Sequence, residues 1–169
     1  MKTFDQTLSE MQIDALYSKN RHFNAAERKE KLYYRLMIPL IVLMTLAFGS
    51  NLYPFFKGTS YVPSIIMSVI SIFVNIMTFF KLKDKIKGHR RVANRYLDAN
   101  KKCKRVRCYL FENSITKDQI DRNIEDIASE ISQINMDAED YPTNDDDLKK
   151  AKINVNEGNE SYTDLERNL

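Results

Sequence analysis

Two adjoining stretches decide the fold: residues 36–56 read LMIPLIVLMTLAFGSNLYPFF, and residues 58–80 read GTSYVPSIIMSVISIFVNIMTFF. Neither stretch contains a charged residue, and Lys57 alone separates them. As helices with a rise of about 1.5 Å per residue, each would be roughly 31 Å long or longer, the thickness of the hydrocarbon core of a bilayer. The rest of this short chain is highly charged, so little other protein is left to bury them. We therefore expect a helical hairpin of two membrane spans, at about 36–56 and 60–80.

The basic residues beside the spans predict the orientation of the hairpin. They lie before the first span and after the second, whereas the loop between the spans has Lys57 alone. These residues are Arg28, Lys29, Lys31 and Arg35, then Lys81, Lys83, Lys85, Lys87, Arg90 and Arg91. Because cytoplasmic flanks carry the excess of Lys and Arg, both termini are expected in the cytoplasm.

The N-terminal flank has the periodicity of amphipathic helices. We expect one helix over residues 4–18 with an apolar side, an interruption at Asn20, and a second helix from Asn24 that continues into the first span. The apolar side of the first helix consists of Leu8, Met11, Ala15 and Leu16.

The C-terminal flank predicts two further amphipathic helices. The first continues from the second span with apolar residues four and three positions apart, and Asn113 and Ser114 end it. A capping box at Thr116 and Gln119 begins the second, which is rich in isoleucine. The two seams are Val92, Tyr96, Ala99, Cys103, Val106 and Leu110, then Ile120, Ile124, Ile127, Ile131 and Ile134.

The predicted fold is therefore all-α: an oligomeric, integral membrane two-helix hairpin with a cytoplasmic helical bundle. Its parts are N-terminal cytoplasmic helices at 1–35, the hairpin at 36–80, cytoplasmic helices at 81–153 and a disordered tail at 154–169.

Polar residues of the second span fall on one side of the predicted helix, within an arc of about 80°. They are Ser64, Ser68, Ser71, Asn75 and Thr78. Asn75 is costly to expose to lipid, so the stripe is either a helix–helix interface or the lining of a pore shared by several copies. In the first span, Pro39 is a candidate hinge.

Residues 81–109 form a basic block, with 12 basic and 2 acidic residues. Its part near the membrane is expected to contact anionic lipid, while the distal part suits either lipid or phosphate groups of a nucleotide or oligonucleotide. The candidate ligand-binding residues are Lys85, Arg90, Arg91, Arg95, Tyr96, Lys101, Lys104 and Arg105, with Tyr96 as a stacking platform.

No enzyme signature accompanies these features, so no catalytic residue and no cofactor is predicted. The thiols of Cys103 and Cys108 lack the further ligands that a zinc site needs. The two histidines, His22 and His89, are isolated in the sequence, and His22 is expected to be a packing or interface residue.

The chain also resembles the SLATT domain family over about residues 5–155. The resemblance lies in Lys19-Asn20-Arg21-His22-Phe23-Asn24-Ala25-Ala26-Glu27-Arg28, in Leu36-Met37-Ile38-Pro39 and Gly49-Ser50, and in Asp140-Tyr141-Pro142 after the isoleucine-rich helix. It implies a two-span effector of the bacterial inner membrane that acts in anti-phage defence, beside nucleotide-signalling or nucleotidyltransferase proteins. It brings no catalytic residues.

The leading hypothesis combines these points. A homo-oligomer, taken here as a tetramer, forms a pore through the membrane lipids. A nucleotide, an oligonucleotide or a partner protein opens or closes this pore. The alternative is a non-conducting membrane scaffold that recruits a cytoplasmic partner. A small transporter subunit fits less well, because charged or broken helices are absent from the spans.

Overall fold

The computed structural model describes residues 3–52, 65, 68–75 and 81–156, without the side chains of residues 43, 44 and 46–52. The regular structure of these residues is helical throughout, which confirms the all-α class for this part of the chain. The helices are α1 at Phe4–Leu52, α2 with described residues 68–75, α3 at Leu82–Phe111, α4 at Lys117–Glu139 and α5 at Asp145–Asn156.

The predicted hairpin falls partly outside these residues. α1 carries the first apolar stretch as helix up to Leu52, and Pro39 lies inside α1 without ending it. Residues 53–64, 66–67 and 76–80 lie outside the described part. Within that part, no helix combines the length and the apolar character that crossing a membrane requires. The membrane hairpin therefore stays a prediction.

The chain divides into two compact units. One consists of Met1–Ala26 with Lys87–Leu169, and the other of Glu27–Ile86. The first boundary between the units falls inside α1, after Ala26. Helix α5 includes residues 154–156, which were assigned to the tail; residues 157–169 lie outside the described part.

The core of the first unit is built from the three predicted apolar seams. Ala15 of α1 packs with Val92, Tyr96 and Ala99 of α3 and with Ile134 of α4. A second cluster consists of Leu8, Cys103, Val106 and Ile127, with Met11, Leu110, Ile124 and Ile131 packed against it. The spacing of four and three residues thus marks the buried sides of α1, α3 and α4.

The interruption predicted near Asn20 is wrong, because α1 is continuous from Phe4 to Leu52. Asn20 is buried. The Asn24 amide nitrogen donates to the Asp147 carbonyl oxygen of α5 at 3.1 Å. Asn20 and Asn24 therefore lie inside the continuous helix α1 and neither cap nor break it. Their contacts with the rest of the bundle outweigh their weak helix propensity.

The end of α3 has the geometry of a Schellman motif. Asn113 has a left-handed backbone, with φ of 50°. Its N–H donates to the Leu110 carbonyl at 3.1 Å, and the Ser114 N–H donates to the Tyr109 carbonyl at 3.1 Å. These two bonds satisfy carbonyl groups that a helix end leaves open, so Asn113 and Ser114 end α3 as predicted.

The start of α4 agrees with the sequence prediction, whereas the start of α3 does not. At α4 the Thr116 N–H donates to Gln119 Oε1 at 2.8 Å, one arm of the predicted capping box. At α3 the expected continuous helix is wrong, because Lys81 has φ of 42°, which a right-handed helix does not allow. Helix α3 therefore begins anew at Leu82.

The two histidines, isolated in the sequence, are in contact. His22 of α1 and His89 of α3 are both buried. Their Nδ1 atoms are 3.2 Å apart. The buried position of His22 agrees with the expectation that it is a packing residue. The two histidines are far apart in the sequence but adjacent in the structure.

Replacing Ile134 by Ala should lower the free energy of unfolding by about 2–5 kcal/mol, because it opens a cavity in the shared core. Met136 of the same helix is 59% exposed, so Met136→Ala is the matched control and should change stability little. Thermal unfolding of the full-length chain, followed by circular dichroism, measures both. Equal shifts for the two variants would contradict the packing described here.

Candidate functional site

The described residues of the polar stripe are exposed on α2, and this helix packs through another side. Ile70 of α2 is buried and contacts Leu40 of α1, with Met37 packed against the pair. Ser68, Ser71 and Asn75 are exposed. On an α-helix, Ile70 lies roughly 120° away from the middle of this stripe. The stripe therefore does not serve as the contact between α1 and α2, at least for its described members; Ser64 and Thr78 lie outside the described residues.

The Asn75 amide has a local partner within the stripe. Its Nδ2 donates to the Ser71 carbonyl oxygen at 2.8 Å, one turn earlier. A primary amide has two N–H donors and an acceptor oxygen, so this bond leaves capacity for a further partner.

Apolar side chains on both helices of this unit are also exposed. Ile38 is 59% exposed on α1, and Ile72 is 59% exposed on α2. Others in the same unit are Ile41, Val42, Ile65, Val69, Phe73 and Val74. Large apolar patches of this kind mark a surface that lipid or another protein covers.

The distal part of the basic block lines a cavity of about 640 Å³ on the first unit. All but one of its residues come from α3, on the side away from the core seam, and α4 supplies the remaining one. They are Asp98, Lys101, Lys102, Lys104, Arg105, Cys108, Tyr109 and Glu130. We call this set of residues the basic groove.

A second cavity of about 330 Å³ adjoins the basic groove between α3 and α4. Four residues line both cavities and lie where they adjoin: Lys102, Arg105, Tyr109 and Glu130. Lys102 is neutralised by Glu130, with Nζ 2.6 Å from Oε2. A guanidinium beside an exposed aromatic ring suits a ligand with both a phosphate and a base, since one binds the charge and the other stacks.

Three predicted ligand-binding residues meet in the groove: Lys101, Lys104 and Arg105. Lys85, Arg90 and Arg91 are exposed, but they line neither cavity of the described residues. Arg95 forms an ion pair with Asp137 of α4. The predicted ligand-binding cations near the start of α3 are therefore not part of the basic groove, which contains only those near its end.

The prediction that Tyr96 is a stacking platform is wrong. Its side chain is 4% exposed, in the core between α1 and α4. Its hydroxyl donates to Asn135 Oδ1 at 2.5 Å. Burial raises the pKa of Tyr96, against the smaller opposing effects of Ser18, Arg21 and Arg95. A residue in the apolar seam is covered by neighbouring helices and cannot receive a base.

The aromatic side chain that lines the basic groove is Tyr109, not Tyr96. It is 45% exposed and was not among the predicted ligand residues. The signal that could have found it is the spacing of Lys101, Arg105 and Tyr109, four residues apart and therefore on one side of the helix. Cys108, also missed, is exposed in the same groove.

Exchanging Lys101 and Arg105 for Glu should weaken binding of ATP or a short oligonucleotide about tenfold or more, because charge-assisted contacts become repulsive. The matched control is Lys149→Glu with Lys150→Glu on α5, which makes the same change of net charge at exposed positions outside the groove. Fluorescence anisotropy with labelled ligands measures the affinities. Equal losses in both variants would mean that only net charge matters.

Alkylation should distinguish the two cysteines. Burial raises the pKa of Cys103 to about 11, so its reactive thiolate is scarce, and its side chain is inaccessible. Cys108 is exposed and should react with N-ethylmaleimide. Mass spectrometry should show one modified site, at a rate that saturating ATP lowers. Unchanged labelling of Cys108 at saturating ligand would move the ligand away from the groove.

The basic groove presents cationic side chains, a chemistry that suits the reversible binding of an anion. Among the described residues, no group of three or more His, Cys, Asp or Glu side chains could hold a metal ion. The chain matches no family model, no curated protein and no solved structure.

Proposed function

We propose that the chain is a homo-oligomeric effector of the bacterial inner membrane, with a gated pore lined by the polar stripe of α2. The observation on which this depends is the exposure of Ser68, Ser71 and Asn75, while Ile70 of the same helix packs on α1. A lone hairpin in lipid would leave an amide in hydrocarbon, which is costly. Several copies around an axis instead place the stripe against water or against one another.

Insertion into a membrane is supported by the uncharged stretches and by the exposed apolar side chains around the stripe. Ile72 on α2 and Ile38 and Ile41 on α1 are each more than half exposed. In water such surfaces promote aggregation, whereas lipid covers them without cost. The basic residues outside the spans favour cytoplasmic termini.

Gating is assigned to the first unit, because it contains the basic groove. A nucleotide or oligonucleotide suits the pairing of Arg105 with Tyr109, with Lys101 adding charge. The resemblance to the SLATT family supports the same assignment, since it implies effectors that respond to a nucleotide signal, made by an associated nucleotidyltransferase, during anti-phage defence. Opening of the pore would depolarise the cell.

One feature favours a second function, that of a non-conducting scaffold. Asp118, Asp121, Glu125 and Asp126 are exposed along the first half of α4. A row of carboxylates on one helix suits a basic protein partner, which the chain would recruit to the membrane. The scaffold needs no conduction through the stripe, so ion flux separates the two functions.

Liposomes containing the full-length chain should release ions, and nucleotides or short oligonucleotides should change the rate. Ser71→Leu with Asn75→Leu should reduce flux to the level of protein-free liposomes, because it replaces polar groups of the stripe by apolar ones. A fluorescent reporter of K⁺ or H⁺ inside the liposomes gives the rate.

The matched control is Phe73→Leu with Val74→Leu, which changes exposed apolar positions of the same helix and should preserve flux. Flotation of the liposomes checks that each variant inserts. Unchanged ion flux in the variant with Ser71→Leu and Asn75→Leu would contradict the assignment of the stripe to a pore. Liposomes that stay tight with every ligand would favour the scaffold.

A further inference from the structure

Opposite charges are concentrated on two helices of the first unit. Helix α3 contains 11 basic and 2 acidic residues, whereas α4 contains 2 basic and 7 acidic residues. Two ion pairs join these helices within one copy, Arg95 with Asp137 and Lys102 with Glu130. Other charges of both helices lie at the surface, and the pore function proposed above gives those of α4 no role.

Three exposed carboxylates form one face of α4: Asp118, Asp121 and Glu125. We call these residues the acidic face. They are three and four positions apart, so they lie on one side of the helix. Two other acidic residues of α4, Asp126 and Glu130, line the cavity between α3 and α4. Their mean direction is roughly 140° around the helix from that of Asp121 and Glu125, so the acidic face points away from α3 of the same copy.

The acidic face and the basic groove both present charges that form no ion pair within one copy. Among the residues that the structure describes, the ion pairs involve none of the three carboxylates of the acidic face. Lys101 and Arg105 of the groove are also outside these pairs, and both are exposed. The groove contains the carboxylates of Asp98 and Glu130 as well, but its four cations outnumber them.

The spacing of the two sets of charges matches. Lys101 and Arg105 are four residues apart on α3, and Asp121 and Glu125 are four residues apart on α4. Four residues of an α-helix rise about 6 Å, so two helices lying side by side bring both pairs into register in either direction. One copy cannot make this match alone, because its acidic face points away from its own α3. A second copy can supply the missing surface.

We propose that the acidic face of one copy docks in the basic groove of the next. The contact joins two different surfaces, so its repetition around an axis gives a ring, the arrangement that a shared pore needs. The docking rests on the proposed function, because it joins the copies of the homo-oligomer through their first units. An anionic ligand that binds the groove competes with the acidic face of the neighbour, and this competition couples the ligand to the contact between copies.

The chain contains its own probe of the docking, because Cys108 is exposed in the groove. A cysteine beside the acidic face of a neighbour should form a disulfide with Cys108 when copper phenanthroline is the oxidant. Ser129→Cys places this thiol one turn after Glu125 and suits helices that dock in the same direction, whereas Asp118→Cys suits the opposite direction. The purified full-length chain in a mild detergent is used, so that the result does not depend on the membrane hairpin.

One of the two cysteine variants should form a covalent dimer on a denaturing gel, with Cys108 joined to the new cysteine in the peptide map. Lys152→Cys is the matched control, because this residue is exposed on α5, outside both surfaces. Dimers that are no more abundant than in this control, for both variants, would overturn the proposal.

Charge reversal in the dimer-forming variant tests whether opposite charges make the contact. Lys101→Glu with Arg105→Glu should lower the dimer yield about tenfold, because like charges then face each other. Asp121→Lys with Glu125→Lys should do the same. All four substitutions together reverse both surfaces, so they should restore the yield. An unchanged yield in the two reversed variants, or no recovery in the combined one, would contradict the docking.

The control for net charge is Lys149→Glu with Lys150→Glu, at exposed positions of α5. It changes the net charge as much as the reversal of the groove does, and it should leave the dimer yield unchanged. An equal loss of dimer in this control would mean that general repulsion between copies, and not the docking, lowers the yield.

Saturating ATP distinguishes failure of the docking from failure of the proposed function. If the groove binds both, ATP should lower the dimer yield. A dimer whose yield ATP leaves unchanged would support the docking and contradict the nucleotide assigned to the groove. Binding of ATP without any dimer would overturn the docking and leave the ligand assignment in place.

Discussion

The burial of a single side of α3 is the constraint on which the first unit depends. Residues 81–109 contain 12 basic residues, and the apolar seam is the side of α3 that packs in the core. α1 and α4 cover the seam, and each also supplies acidic partners. Arg107 Nε is 2.8 Å from Asp5 Oδ1 of α1, and Lys102 is paired with Glu130 of α4. Since the core uses one side, the remaining cations are confined to the other, and this produces the basic groove.

Local patterns predicted the parts of this structure that local physics determines. The spacing of the isoleucines identified the buried side of α4, and Ile120, Ile127 and Ile134 are all buried. The end of α3 and the start of α4 were predicted because their backbone hydrogen bonds join residues only a few positions apart. The charge of the groove was also visible, since Lys101, Lys104 and Arg105 belong to one basic run.

What could not be predicted depends on residues that are distant in the chain. In the sequence, Asn24 has the pattern of a helix cap. In the structure its side-chain amide donates to the backbone carbonyl of Asp147, 123 residues later. Tyr96 belongs to the predicted apolar seam, and the packing of α1 and α4 against that seam buries its ring. The contact of His22 with His89 likewise requires the register between α1 and α3, which neither helix specifies alone.

The contact of Tyr141 with Gly88 has a consequence for the substitutions that position 88 tolerates. A Cβ atom added to Gly88 would lie 1.8 Å from the Tyr141 ring. Glycine therefore allows the segment between α4 and α5 to lie against α3, and any larger residue would displace the Tyr141 ring from its edge contact with His89.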